Sequence, residues 1–202
     1  MKKFFFSFLF VIAGASMSYS QDTFGIKAGL NLASQFIRID NQSAKTKIAP
    51  TFHVSAYYDA RISPGFSIQP GISLEGKGGV SEIDGQKLTD RFLYLQVPIN
   101  FLGRVPVGTG DFFFGGGPYA AYGVDARVTS GREAIHLQWG DGIEQLNPWD
   151  AGLTAVFGYR HIKGFVFSIS SSAGFINISN SNEAKYLNRV SSIGVAYEFG
   201  VR

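Results

Sequence analysis

The sequence predicts an all-β protein, an eight-stranded antiparallel up-and-down transmembrane β-barrel. Three observations carry that reading. Past residue 22 the apolar residues recur at period two, which marks strands with two unlike faces. The connections alternate in length: short at Ser63-Pro64-Gly65, at Gly103 to Asp111 and at His161 to Gly164, long at Ser34 to Ile48, Gly78 to Asp90, Asp125 to Pro148 and Ser179 to Asn188. Short turns on one rim and long loops on the other are what a membrane barrel requires. The third observation is an export signal at the N-terminus.

That signal comes first in the chain. Lys2 and Lys3 form a positive start, Phe4 to Ala15 an apolar stretch, and Ser18 and Ser20 the small residues of a cleavage site before Gln21. The apolar stretch falls short of the ~20 residues a spanning helix needs. Residues 1–20 are therefore expected to be cleaved, leaving 21–202 as the barrel domain. Losing Lys2 and Lys3 takes the 18 basic side chains to 16 against 15 acidic ones, so the mature chain is almost neutral and no nucleic-acid partner is expected. With no Cys, disulfides, thiolate metal sites and a lipid-anchored N-terminal cysteine are excluded.

The strands follow in order. In Thr23 to Ala33, Phe24, Ile26, Ala28, Leu30 and Leu32 oppose Gly25, Lys27, Gly29 and Asn31. In Thr51 to Ile62, Phe52, Val54, Ala56, Tyr58, Ala60 and Ile62 oppose His53, Ser55, Tyr57, Asp59 and Arg61. The third run sets Phe66, Ile68, Pro70, Ile72 and Leu74 against Ser67, Gln69, Ser73 and Glu75. The fourth sets Leu93, Leu95, Val97, Ile99 and Phe101 against Tyr94, Gln96 and Asn100. The fifth, Phe112 to Val124, is Gly-rich and can face either way. The sixth places Ala151, Leu153, Ala155, Phe157 and Tyr159 against Asp150, Thr154 and Arg160, and the seventh Phe165, Phe167, Ile169, Ala173 and Phe175 against Ser168, Ser170 and Ser172. The last sets Ile193, Val195, Tyr197 and Phe199 against Ser192, Gly194 and Glu198. Eight is an allowed even number for a closed barrel.

Periodicity does not say which face looks outward, but the aromatics do. Phe24, Phe66, Phe112 and Phe165 open the odd strands, and Phe101, Tyr159 and Phe199 close even ones. In an up-and-down barrel all seven share one rim, forming an interfacial girdle that a soluble core has no reason to collect. Pro70, Pro98 and Pro118 cut against the scheme, because each removes a ladder donor from a sheet with no edge. Bulges or shortened strands are the expected accommodation.

Five segments now resemble one family. Gly25-Ile26-Lys27-Ala28-Gly29-Leu30-Asn31, Tyr94-Leu95-Gln96-Val97-Pro98-Ile99, Gly116-Gly117-Pro118-Tyr119, Asp150-Ala151-Gly152-Leu153 and Val195-Ala196-Tyr197-Glu198-Phe199 are similar, in this order, to PorT-like outer-membrane β-barrels of Bacteroidetes-type bacteria. The resemblance implies an eight-stranded barrel inserted by the outer-membrane insertion machinery, with no enzyme activity and no common ligand. One member of that family is associated with protein secretion. Such barrels often finish on an aromatic residue, whereas here Gly200-Val201-Arg202 follow Phe199.

The inward charges are the leading site candidates. Lys27, Asp59 and Glu198 lie on strands one, two and eight, neighbours after closure, with Arg61 and Arg160 nearby. They can form an ion path or an internal salt-bridge plug; an eight-stranded barrel has room only for its own side chains, so the plug is expected. His53, Ser55 and Asp59 share a face, but His53 and Asp59 stand ~20 Å apart along the strand, too far for a catalytic triad. The longest loop carries Arg132, His136, Trp139 and Asp141, with Trp149 just beyond. It reads either as a recognition surface or as an extension of strands five and six with its tryptophans at the membrane interface. One His with scattered acids makes no metal site, and no phosphate-cradling, dinucleotide or nucleophile-elbow motif appears. The expectation is a monomeric outer-membrane protein with both termini periplasmic, outer-membrane lipid around it, no cofactor and no enzyme activity. It would act as a structural or interaction component of the envelope through a protein partner, accessory to protein secretion, with a narrow solute channel as the alternative and a barrel enzyme acting on lipid or peptide as the third reading.

Overall fold

The computed structural model describes residues 22–39, 42–83, 85–131, 133–181 and 184–200. The export segment and Arg132 lie outside them. Ten strands are present among the described residues: β1 (Thr23–Ile39), β2 (Gln42–Lys45), β3 (Ala49–Ser63), β4 (Phe66–Ile83), β5 (Gln86–Val107), β6 (Gly110–Ser130), β7 (Glu133–His136), β8 (Trp149–His161), β9 (Phe165–Gly174) and β10 (Ala184–Phe199). Eight long strands, all antiparallel, form the ring β1-β3-β4-β5-β6-β8-β9-β10, and β10 pairs back onto β1 from Phe24↔Phe199 to Ile39↔Ala184. β2 and β7 are short returns on β1 and β6.

The apolar face looks outward. Leu30 is 70% exposed, Ile193 64% and Phe167 59%, whereas Asp59, Asn31 and Tyr94 are fully buried. This inverts a soluble barrel and matches a wall that meets lipid. The fifth run resolves with Phe112, Phe114, Ala120, Tyr122 and Val124 outward, and Asp111, Phe113, Tyr119 and Ala121 inward. Three consecutive phenylalanines hid that alternation.

The girdle residues Phe24, Phe66, Phe101, Phe112, Phe165 and Phe199 face outward near the short-turn rim, and Phe165, Tyr197, Phe199 and Phe24 form a chain of ring contacts at 5.3, 4.9 and 6.5 Å. Tyr159 packs on Phe112 at 5.0 Å. A second aromatic pair, Tyr122 and Trp149, meets edge to face at 5.0 Å near the long-loop end. Ten residues of tilted strand separate Phe112 from Tyr122, roughly the 25 Å height of an outer-membrane apolar band.

Two expectations are corrected. Much of the predicted long segments is strand: β4 and β5 continue to a tight turn at Gly85, and β6 runs on to Ser130. Past the apolar band both faces meet polar surroundings, so backbone pairing continues while the apolar alternation fades. The prolines cause neither bulge nor shortening. Register is unchanged from Tyr57↔Gly71 to Ala60↔Ile68, from Pro70↔Ile99 to Ser73↔Gln96 and from Pro98↔Tyr119 to Phe101↔Gly116, and the register shifts lie elsewhere, between Arg61 and Ser63 and between Leu93 and Tyr94. The ladder gives up a few hydrogen bonds and keeps its pitch.

Candidate functional site within the barrel

The inward side chains fall into three tiers. At the short-turn rim, three guanidinium groups meet three carboxylates. Arg104 pairs with Asp59 at 2.6 Å and with Asp111. Arg160 reaches Asp111 at 2.8 Å and Glu198 at 3.5 Å, and Arg61 reaches Asp111 at 3.0 Å. Thr23 and Tyr57 donate to Glu198 at 3.1 and 3.0 Å, and Arg104 donates to Ser67 at 3.0 Å. The formal charges cancel, and Phe113 lies beneath the Arg104 guanidinium at 5.5 Å. Tyr57, Leu102, Phe113, Val166 and Ala196 pack around this tier as a small inward apolar cluster. Buried charges persist only when paired in this way.

The middle tier is polar. Asn31 donates to Glu75 at 2.9 Å, its carbonyl oxygen accepts from Ser192 at 2.7 Å, and His53 Nδ1 lies 2.7 Å from it. Lys27 sits here, within the field of Glu75. Ser55 Oγ, Gln96 Oε1, Asn100 Oδ1 and Thr154 Oγ1 take no hydrogen bond from the described residues.

The upper tier centres on Lys77, whose ammonium pairs with Asp150 at 2.9 Å and lies over the rings of Tyr119 at 4.3 Å and Tyr94 at 4.9 Å. Asn188 also donates to Asp150, at 3.0 Å. Above it, at the long-loop end, lies an apolar lid. Trp139 packs against Tyr94 at 5.4 Å and Phe92 at 5.9 Å, with Leu137, Leu146, Ile178 and Tyr186 around it. The lid is tied down by its backbone: Gly123 donates to Pro148 at 2.8 Å, Asn147 to Ile178 at 3.0 Å, and the Asn180 amide donates to the carbonyls of Gly140, Gly142 and Gln145.

Of the expected cluster, Asp59, Arg61, Arg160 and Glu198 come together and Lys27 does not. Lys27 pairs in register with Ser55, whereas Asp59 sits opposite Thr23, four residues (~13 Å) nearer the rim. Arg104 and Asp111, which join the rim network, belong to a segment the sequence predicts as a turn, and Lys77 lies beyond the predicted end of the third strand. Continuing the alternation through Phe101, Gly103, Val105 and Val107 would have exposed Arg104 as inward. His53 hydrogen-bonds Asn31 and has no contact with Asp59. In the long loop, Trp139 is packed inside the mouth and Trp149 faces outward at the upper girdle, while His136 and Asp141 are exposed, His136 3.6 Å from Asp125.

Asp90 lies inward on β5 above the apolar band, where burial raises its carboxyl to about 6.

A family profile described as an outer membrane protein beta-barrel domain matches residues 17–180. Among solved structures, the chain is similar to Ail, the attachment invasion locus protein of Yersinia pestis, at 13% identity over 87% of this chain and 98% of that one, with a TM-score of 0.43. It is also similar to Neisserial surface protein A, at 14% identity over 87% and 97%, with a TM-score of 0.47. No curated protein matches the chain.

Proposed function

Because the chain belongs to the outer membrane protein beta-barrel domain family, we propose that it works as a closed, non-conducting envelope component whose activity lies on its rims and outer surface. The rim network carries this reading: three arginines and three carboxylates pair across the bore, leaving no uncompensated charge to draw an ion through. The lid around Trp139 supports it from the other end. The barrel is monomeric, sits with both termini in the periplasm and performs no chemistry. His53 is spent on Asn31, which supports the last point. The segments that resemble PorT-like barrels support a partner in the envelope and an accessory place in protein secretion.

Gentle crosslinking in native outer membranes, followed by identification of bound proteins, tests this. A specific periplasmic or secretion-machinery partner captured through the short-turn rim is the expected result. Recovery of the barrel alone, together with steady single-channel conductance in planar bilayers, would replace it with a narrow channel for small solutes. The unpartnered polar oxygens of the middle tier favour that second reading.

A further inference from the structure

A groove of about 440 Å³ runs along the outer wall at the upper edge of the apolar band. Its walls are Pro50 and Phe52 on β3, and Arg91 and Leu93 on β5. The floor between them is Gly76 of β4, which sits opposite Leu93. A Cβ on Gly76 would come within 2.7 Å of the Thr51 side chain and 3.1 Å of the Phe52 carbonyl, so a larger residue does not fit the floor without displacing them. The groove thus depends on a glycine at this position.

Its upper end is basic. Arg91 pairs in register with Arg127, and Arg127 with His136, all on the outward face. Like charges directly opposite each other on neighbouring strands are unfavourable. Arg127 is half-exposed and held by Asp125 at 2.7 Å. Arg91 makes no ion pair among the described residues and is exposed. Asp125 therefore offsets one of two adjacent guanidinium groups. The lower end is apolar: Phe52 is 51% exposed, and the Tyr122–Trp149 girdle pair lies one step below. Arg91 stands four residues beyond Leu95, the partner of Tyr122, which puts it at headgroup height.

We infer that this groove binds a phosphorylated, multiply acylated glycolipid of the outer leaflet, with one acyl chain along Phe52 and Leu93 and a phosphate between Arg91 and Arg127. Arginine is suited to phosphate, which its planar fork grips in two-point contact. The leaflet assignment rests on the proposed periplasmic termini; the binding itself does not, so it is tested in detergent, where orientation plays no part.

The experiment is native mass spectrometry of the refolded barrel with lipid A as probe. One lipid A retained per barrel is expected. Arg91→Glu/Arg127→Glu should retain about tenfold less, as should wild type given dephosphorylated lipid A, and equimolar inorganic phosphate should not displace the lipid. Heat-dependent gel mobility verifies that the variant folds. Should it fail to fold, Arg91→Gln/Arg127→Gln carries the same expectation. Equal retention by the folded variant, retention of the phosphate-free lipid, or displacement by inorganic phosphate would each overturn the inference.

Discussion

Arg104 shows what a single side chain contributes to this barrel. It bridges Asp59 and Asp111 and donates to Ser67, so replacing it leaves two carboxylates buried without their main partner. Arg104→Leu should cost about 3–5 kcal/mol, measured as a lowered urea midpoint in lipid vesicles; adding Asp111→Asn should restore part of the loss. Asp90 gives a pH signature at the same scale. Its carboxyl is raised from 3.8 to about 6 by burial, so the folded extension binds its proton more tightly than the unfolded chain does. Stability there is greatest at low pH and falls as the pH rises from about 4 through 6. Amide exchange in the upper β4–β5 hairpin should slow between pH 7.5 and pH 5, by roughly 1–2 kcal/mol of opening free energy, and Asp90→Asn should abolish the difference.

The lid is the element whose purpose the chain hides longest. Trp139 sits over Gly123, where a Cβ would strike the indole ring. Gly123→Val should expel the indole while leaving the barrel wall intact, giving a red-shifted Trp139 emission (with Trp149 replaced by Phe) and an unchanged gel-mobility shift. Nothing in the local sequence separates a tryptophan folded inward from one displayed to a partner, because the choice depends on Phe92, Tyr94 and Ile178, which lie far away along the chain. The wall is different. Its two-residue period is imposed by lipid on one side and packed polar groups on the other, so Leu30, Leu95 and Phe167 group onto one face from their neighbours alone, and the girdle turns that face outward. Arg104 and Lys77 escaped because the outward residues opposite them include glycines, and Gly103 or Gly78 announces no facing.

For the whole molecule, the wall must behave as a lipid-facing surface. Leu30→Arg, near the middle of the apolar band, should cost ~2–4 kcal/mol in vesicle unfolding, while Lys47→Ala, in an exposed pair with Glu82, should change stability by less than about 1 kcal/mol. The architecture was legible as a whole because the girdle, the turn lengths and the alternation are independent signs of the same shape. The tiers within it were not, since the stagger between strands decides which charges meet. The seam between β1 and β10 bears on how such a molecule comes into being. Thr23 and Glu198, 175 residues apart in the chain, are latched side by side, so the first strand must wait for the last. Until that moment the sheet carries two raw edges that any extended segment can claim, and closure is a long-range event with a heavy entropic toll on its rate. Assembly is therefore all or nothing: a nascent chain lacking its final strand is an open ribbon, and the step most in need of a helper is the zipping of its two ends.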